Sequence, residues 1–460
     1  MPTSFIQYFY YRGIYMKEKN LLIEGNPVRI LVKFALPFLF SSVLQALYGA
    51  ADLFIVGQYA TSIDVSGVAI GSQVMQTLTA VILGITTGGT ILIGQYLGAK
   101  KERDVAKTIG TFISFFSIFA FILTLIMVFS TNIIVKAMNT PLEAQKTAYD
   151  YLFICSMGLP FIMGYNILSG ILRGIGNSRT PLIFVLVACV VNIGVDVVLV
   201  KSLGMGAKGA ALATISAQGI SFLLGVLYIW KNKFPFKFTK KNLWIFPKKL
   251  KYILRLGLPI ALQDGLIGIS FLIITRIINN MGVIASASVG VVEKIIVFAM
   301  LPTSSIAAAI AVITAQNIGA GKENRARRML KIGIGVTFVL ALVLFGIFQI
   351  SPEKITGFFT IDKEVVYSAS QYLKSYSTDC LLVCFIFNMN SFFSGAGSSL
   401  FPMIHSLIAT FIIRIPLSLF LSKIENVTLF ELGLAAPIAT FFSLIMCIIY
   451  MKKWKFKERV

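Results

Sequence analysis

The sequence predicts an all-α integral membrane protein, in which twelve transmembrane helices form two six-helix lobes related by a pseudo-twofold axis along the membrane normal. Three observations support this fold class. Of the 460 residues, 57% are hydrophobic and only 13% are charged, whereas soluble domains carry about 25% charged residues. Apolar runs of about 20 residues, long enough to cross a bilayer as a helix, recur along nearly the whole chain. Finally, two motifs recur at one constant offset.

The apolar runs are continuous, as in residues 112–129 and 336–350, and do not alternate with polar residues. Only helices and closed barrels satisfy their backbone polar groups in lipid. Because a barrel strand needs alternation, these runs predict helices. In chain order the predicted spans are 30–57, 65–98, 108–135, 147–172, 181–201, 207–230, 253–280, 284–318, 329–351, 366–393, 402–422 and 430–451.

Basic residues cluster in alternate gaps between the spans, and this pattern predicts the orientation. The rich segments are 12–33, 100–107, 231–255, 322–331 and 452–459. The gaps at 58–64 and 281–285 contain neither Lys nor Arg. Because Lys and Arg accumulate on the cytoplasmic side, both termini are predicted to be cytoplasmic in a multi-pass protein of the cell (plasma or inner) membrane.

Composition and motifs disfavour several function classes. The formal net charge of +22 lies in these gaps and is typical of a cytoplasmic membrane rim, so nucleic acid is not an expected partner. The five cysteines lie within apolar runs and predict no disulfide framework. No gap carries a phosphate-binding loop, a metal-spaced His cluster or a nucleophile–His pattern. We therefore expect neither an enzyme nor a bound cofactor.

Two motifs of the first half recur in the second half at an offset of 221 residues. GQYLGAKKE at 94–102 recurs as AQNIGAGKE at 315–323, and RGIGNSRTP at 173–181 recurs as SGAGSSLFP at 394–402. Each half has six spans, so both insert the same way round, with a substrate path between two lobes. This organisation is typical of a transporter. The predicted parts are a cytoplasmic N-terminal segment (1–27), an N-lobe (28–230), a basic linker (231–251), a C-lobe (252–451) and a basic tail (452–460).

The ordered set of motifs resembles the MATE (multidrug and toxic compound extrusion) family, in particular its bacterial multidrug-efflux branch. The resemblance covers residues 20–450. Its parts are ALPFLFSSVLQALYGAADLFIVGQ, GQYLGAKK, RGIGNSRTP, VNIGVDVVLV, GMGAKGAALAT, LRLGLPIALQ, MLPTSSIAAAIAVITAQNIGAGK and FSGAGSSLFP. The resemblance implies two six-helix bundles that open alternately to either side, and efflux of organic cations or amphiphilic drugs against inward H⁺ or Na⁺.

Two acidic residues of the N-lobe, Asp52 and Asp196, lie inside predicted spans. An ionisable side chain within the membrane is costly and is therefore a functional candidate. Tyr48 and Asn192 each precede one of these acids by a helical turn and share its helix face. At 1.5 Å per residue, the two acids and Thr214 all lie about 8–10 Å below the outer surface. Residues from three spans thus converge on one level.

A buried pair of carboxyl groups can carry a proton, because burial and a second carboxyl nearby both favour the neutral form. With Asn192 and Thr214 it can also offer oxygen ligands to Na⁺. The resemblance agrees, since the family's N-lobe cation site matches Tyr48, Asp52, Asn192, Asp196 and Thr214 in type and spacing. We expect Asp52 and Asp196 to bind the coupling ion, H⁺ in preference to Na⁺, and no other metal. The alternative is a carboxylate that bonds a helix end.

The C-lobe offers three acids as candidate ligands of substrate or ion, namely Asp264, Glu293 and Asp379. Family members often carry acids in the seventh span, although Asp264 stands nearer the cytoplasmic end than that pattern places them. Glu293 lies beside Lys294 and could pair with it. Arg414, in the middle of the eleventh span, could neutralise one of these acids. The structural alternative for the C-lobe acids is therefore an internal ion pair.

Three other function classes remain open. A lipid-linked glycan flippase of the same superfamily often has fourteen spans and a cationic cavity, whereas the intramembrane charges here are mainly acidic. A major facilitator carrier has a Gly-x-x-x-Asp-Arg-x-Gly-Arg loop where this chain reads GQYLGAKKERD. The two-lobe repeat disfavours a channel. The expected partners of a monomer are thus small organic cations or amphiphiles and membrane lipids. His405, near the cytoplasmic end of the eleventh span, is expected to be an interfacial residue, with a proton relay as the alternative.

Overall fold

The computed structural model describes residues 22–454, so most of the predicted N-terminal segment and of the basic tail lies outside the described residues. Within this range the chain is almost entirely helical, without a strand. The main helices are α1 Pro27–Tyr59, α2 Ser62–Gly98, α3 Glu102–Ala137, α4 in two halves (Gln145–Met157 and Leu159–Ile175), α5 Arg179–Ser202, α6 Gly206–Asn232, α7 Pro247–Asn279, α8 Val283–Gly319, α9 Glu323–Ile350, α10 Lys363–Gly395, α11 Leu400–Leu421 and α12 Leu429–Lys453. Short helical turns lie at Leu142–Ala144, Lys240–Leu243 and Pro352–Gly357.

Ten of these helices are long and apolar enough to cross a membrane. The bent α4 is an eleventh candidate span, with 49° between its halves. The remaining helix, α10, is 33 residues long and carries Lys374 and Asp379 along its middle, which lowers its mean hydropathy. The main helices coincide with the twelve predicted spans, and the predicted all-α membrane fold is confirmed.

The bend in α4 follows from its sequence. Gly158 separates the two halves, and Pro160 lacks the amide hydrogen that would bond back across the break. A side chain at Gly158 would collide with Ile215 of α6. The glycine thus permits close packing of α6 at the bend. Breaks of this kind are tolerated in membrane helices whose neighbours cover the backbone.

The chain divides into two compact units. The N-terminal unit contains Phe40–Gly257, and the C-terminal unit contains Pro27–Leu39, Leu258–Ile318 and the chain from Lys322 onward. In the N-terminal unit, α2 packs against both halves of α4, and α6 packs against α4 and α5. In the C-terminal unit, α10 packs against α9 and α12. The neighbouring helices thus converge on α4 in the N-terminal unit and on α10 in the C-terminal unit.

One acid of the N-terminal unit has a clear structural role. Asp64 closes a capping box with Thr61 at the start of α2, and its Oδ2 accepts from the Thr61 hydroxyl at 2.7 Å. Its Oδ1 accepts from the backbone N–H of Ala207 at 3.0 Å, at the start of α6. A carboxylate at a helix N-terminus satisfies free N–H groups and complements the helix dipole. Asp64 therefore stabilises the starts of two helices.

The second half of the basic linker is docked on α3. The Thr111 hydroxyl accepts from the N–H of Phe246 at 3.1 Å, and the Ser114 hydroxyl donates to the carbonyl of Leu243. Both hydroxyls lie on one side of α3, one turn apart. The linker backbone is therefore held by side chains of the helix along which it runs.

Two further features hold this part of the linker. Gly110 of α3 faces the backbone of Asn242 so closely that a side chain would overlap it. Lys249 forms an ion pair with Asp104 at 2.6 Å, and its Nζ lies 3.8 Å from the centre of the Tyr96 ring. The linker is thus fixed by sterics and charge as well as by hydrogen bonds.

His405 is buried in the C-terminal unit, with 1% of its surface exposed. Its Nε2 lies 2.7 Å from Oδ1 of Asn390 and its Nδ1 lies 2.7 Å from the Ser443 hydroxyl. Both ring nitrogens therefore have partners inside the unit, and the imidazole needs no water. The five cysteines are buried and free. No group of three or more metal-binding side chains occurs among the described residues.

Candidate functional site

Five polar side chains singled out in the sequence meet inside the N-terminal unit. Tyr48 and Asp52 come from α1, Asn192 and Asp196 from α5, and Thr214 from α6. Asp52 is 6% exposed, and Asn192 and Asp196 are fully buried. Helix α1 and the consecutive helices α5 and α6 therefore bring two carboxyl groups and three further oxygen-bearing side chains to one place.

Asp52 is the centre of this cluster. The Thr214 hydroxyl donates to its Oδ2 at 3.1 Å, and the side chains of Asn192 and Asp196 lie within interaction range of its carboxylate. The Tyr48 hydroxyl lies beside Thr214. The cluster is therefore a contiguous set of oxygen atoms around one carboxylate.

Most of these polar atoms lack a hydrogen-bond partner among the described residues. They are Oδ1 of Asp52, both carboxylate oxygens of Asp196, the Tyr48 hydroxyl and both amide atoms of Asn192. Buried polar groups are nearly always paired, so each exception calls for an explanation. Buried oxygen atoms without donors suit a proton or a hard cation such as Na⁺, which takes oxygen ligands. The donor set fits either ion.

The helix that carries Asp196 changes geometry directly after this residue. Val197–Ser202 is π-helical, where the sequence predicted one regular span. Turns of this kind are rare and often lie at functional sites. Asp196 thus stands at the junction of two helical geometries, and nothing in the apolar stretch VVLVKS indicates this change.

Two residues of α4 also belong to the cluster, and the sequence analysis missed both as site residues. Tyr151, 3% exposed, lies beside Thr214 and within electrostatic range of Asp52. Cys155, 1% exposed, lies one turn later and against Tyr151. A polar aromatic residue one turn from a cysteine on a single helix face was the available signal.

The Tyr151 ring occupies the space that Gly71 of α2 leaves by having no side chain. A Cβ at Gly71 would overlap the Tyr151 ring, so we expect Gly71→Leu to force the ring out of the cluster. Overpacking of this kind costs about 1–3 kcal/mol of unfolding free energy, which a lower melting temperature in detergent would reveal. Gly57→Leu is the matched control, because nothing lies within 4 Å of a Cβ at Gly57. Tyr151→Ala in the Gly71→Leu chain should restore stability, and the absence of any rescue would contradict the steric explanation.

The three predicted acids of the C-terminal unit are not gathered into one cluster. Glu293 and Asp379 both lie within electrostatic range of Arg414, but neither forms a direct ion pair with it among the described residues. Asp379 is 5% exposed, and its Oδ1 has no hydrogen-bond partner in this part of the chain. Glu293 does not pair with Lys294 in the described structure. Asp264 is exposed on α7 and interacts with none of these groups.

Comparison with known proteins relates both halves of the chain to one family. The sequence model of the MatE family matches residues 37–198 and 259–420. The probable multidrug resistance protein YoeA of Bacillus subtilis is 28% identical over 433 residues, which cover 92% of this chain and 94% of the relative. The probable multidrug resistance protein NorM of Thermotoga maritima is 27% identical, over 91% of this chain and 90% of its own. The multidrug export protein MepA of Staphylococcus aureus is 27% identical, over 80% of this chain and 82% of its own.

Solved structures show the same fold at lower identity. A transporter of the MOP superfamily from Pyrococcus furiosus superimposes with a TM-score of 0.89 at 19% identity, over 95% of this chain and 98% of its own. A crystal structure of a MATE transporter in the bent conformation gives a TM-score of 0.89 at 19% identity, over 96% of this chain and 97% of its own. At this identity the likeness concerns the fold alone.

Proposed function

The chain belongs to the MATE family of membrane transporters, and from this premise we propose that it is a secondary active antiporter, which exports organic cations or amphiphilic drugs. Membership makes it a multi-pass membrane transporter and not an enzyme. The direction of transport, the coupling ion and the class of substrate are what we propose beyond this membership. The names of the multidrug resistance relatives support the export of small molecules.

The buried carboxyl cluster of the N-terminal unit is the observation on which the proposal rests. Asp52 and Asp196 lie together at 6% and 0% exposure, and three of their four oxygens lack a hydrogen-bond partner among the described residues. Ionisable groups inside the membrane are costly to bury, so their presence is expected where they take up an ion during function. We propose that these two acids bind the coupling ion, H⁺ in preference to Na⁺, with Tyr48, Asn192 and Thr214 as supporting ligands.

Binding of the ion at this place would act on the packing of α1. Asp52 connects α1 to Thr214 of α6 and lies against Asn192 and Asp196 of α5. An ion or proton that neutralises the pair removes the repulsion between α1 and α5, so the two helices can approach and α1 can bend. We propose that this repacking, driven by uptake from outside, releases the substrate as the two lobes alternate their access.

The acids of the C-terminal unit have a smaller part in this proposal. Asp264 is exposed and remains a candidate ligand for a cationic substrate or an ion. Glu293 and Asp379 face the guanidinium of Arg414, which favours the structural alternative of neutralisation by an internal base. No cofactor is proposed. We place the protein in the cell (plasma or inner) membrane as a monomer with both termini in the cytoplasm, surrounded by lipids.

The experiment that tests the function is ethidium efflux from proteoliposomes under separately imposed H⁺ and Na⁺ gradients. We expect one gradient to drive efflux and its reversal to reverse the flux, because an antiporter converts the gradient into substrate movement. Flux that is indifferent to gradient direction would indicate a channel. No efflux under either gradient, with the protein shown to be folded and inserted, would contradict drug antiport and favour the lipid-linked glycan flippase.

A further inference from the structure

Arg414 is half-buried in the C-terminal unit, on a π-helical stretch of α11. This stretch is Ile408–Arg414, and Arg414 is its last residue. The residue after it, Ile415, belongs to the hydrophobic core of the unit together with Tyr372 and Tyr376 of α10. A guanidinium here needs neighbours that compensate its lost hydration.

The neighbours include two aromatic side chains. The guanidinium carbon lies 4.9 Å from the centre of the Phe271 ring of α7 and 5.7 Å from that of Tyr376. Nη2 also donates to the Tyr376 hydroxyl at 3.2 Å. Both ring distances lie within the range of a cation–π interaction. Two helices thus present π-faces to one positive group.

Two acidic side chains add negative charge from two helices. Glu293 of α8 and Asp379 of α10 both interact electrostatically with the guanidinium. A structural ion pair of Arg and a carboxylate is a direct contact and frequently bidentate, and no such pair is formed here among the described residues. Among the described residues, the guanidinium donates one side-chain hydrogen bond, to the Tyr376 phenol, so it is held mainly by π-faces and by charges at a distance.

This combination is the chemistry that recognises free organic cations. Aromatic faces attract a cation through the ring quadrupole, and nearby carboxylates raise the affinity without a fixed hydrogen-bond geometry. Such a pocket selects for charge and flat shape. Here a side chain of the protein itself provides the cation.

We propose that Phe271, Tyr376, Glu293 and Asp379 form a cage for guanidinium-type cations and that Arg414 is its resident occupant. While Arg414 is present, the cage takes no cation from outside. Without it, the cage becomes a receptor for small flat cations. This inference concerns a second site and does not depend on ion coupling in the N-terminal unit.

Chemical rescue of Arg414→Ala in the purified full-length protein tests the cage. We expect this substitution to lower the apparent melting temperature by about 5–10 °C, because it removes the positive charge that the buried Asp379 and the half-buried Glu293 face. Methylguanidinium on the order of 10 mM, a concentration suited to the weak affinity of so small a ligand, should recover at least half of this loss. Methylurea, which is neutral and of similar shape, should recover none. Equal recovery with both compounds, or with neither, would overturn the proposal.

Further variants test whether methylguanidinium acts through the cage or stabilises the protein in some other way. Arg276→Ala removes an exposed Arg of α7 and should show no response to methylguanidinium. Glu293→Gln with Asp379→Asn in the Arg414→Ala chain should abolish the rescue, and a persisting rescue would contradict the role of the two acids. If Arg414→Ala fails to fold, the same comparison is made by adding each compound during purification. Folded protein recovered with methylguanidinium alone supports the cage, and no difference between the compounds overturns it.

Discussion

Asp52→Asn is expected to reduce gradient-driven efflux of ethidium from proteoliposomes by at least about 30-fold. The reason is that Asp52 is the carboxylate around which the buried cluster is built, with Thr214 at 3.1 Å and Asp196 and Asn192 against it. An amide can neither take up a proton nor offer a charged ligand to Na⁺. Loss of a charged partner in a buried site costs about 2–5 kcal/mol, and 2 kcal/mol corresponds to roughly 30-fold.

Asp150→Asn is the matched control, since it makes the same chemical change elsewhere in the N-terminal unit. Asp150 forms a surface ion pair with Lys208 at 3.4 Å, and the two side chains are 22% and 53% exposed, respectively. Exposed pairs of this kind contribute about 0–1 kcal/mol. The control should therefore transport at nearly the wild-type rate. Full gradient-driven efflux by Asp52→Asn would show that the coupling role is wrong.

Asp196→Asn is expected to reduce efflux about as strongly as Asp52→Asn does. Unlike most substitutions, it should also raise the stability of the protein. Asp196 is fully buried and neither of its carboxylate oxygens has a hydrogen-bond partner in the described structure. An unsatisfied buried group costs about 1–3 kcal/mol, and more when it is charged. The amide keeps the size of the side chain but cannot ionise, so we expect a gain of ~1 kcal/mol in unfolding free energy at a pH at which Asp196 is charged. A gain in stability together with a loss of activity is the pattern expected of a residue that serves function at the expense of stability.

Asp64→Asn should show the opposite pattern, because Asp64 caps the starts of α2 and α6. Asn offers one acceptor oxygen where Asp64 uses two, so one of the two helix starts loses its cap; such a loss lowers stability by about 0.5–2 kcal/mol, while efflux by the folded protein should persist. Both variants are compared by melting temperature in detergent and by efflux per folded molecule. If Asp196→Asn lowers the melting temperature as Asp64→Asn does, Asp196 has a structural role and the proposal for it fails.

The fold was predictable because the membrane restricts what the chain can do. Apolar runs of sufficient length must become helices, and the paired motifs at 94–102 and 315–323 indicate that the two halves repeat one arrangement. Asp52 and Asp196 were recognisable for a related reason, since acids inside apolar spans are rare. The one-turn spacing to Tyr48 and Asn192 then gave their helix faces. Periodicity and depth were sufficient to group five residues from three helices.

Other features depend on contacts that no local pattern reveals. Tyr151 reaches the cluster because α4 packs on α2 at Gly71, a side-by-side contact with no signature in either helix alone. The same holds for His405, whose buried state depends on partners in α10 and α12. Arg414 was visible as a base within a span, but its aromatic neighbours were not. The π-helical turns also escaped prediction, because their apolar residues suit either helix type.

The docking of the linker on α3 determines where this protein could be cut into two polypeptides or carry an inserted tag. The stretch 231–251 reads as a uniform lysine-rich tether, yet its second half is held by Thr111, Gly110 and the pair of Lys249 with Asp104. For residues 233–238, by contrast, the described structure shows no hydrogen bond to α3. A cut or insertion there, placed so that it spares the buried Phe236, would leave the docked part and all main helices complete, so co-expressed halves could still reassemble. A cut between 242 and 246 would separate the linker from the helix that holds it.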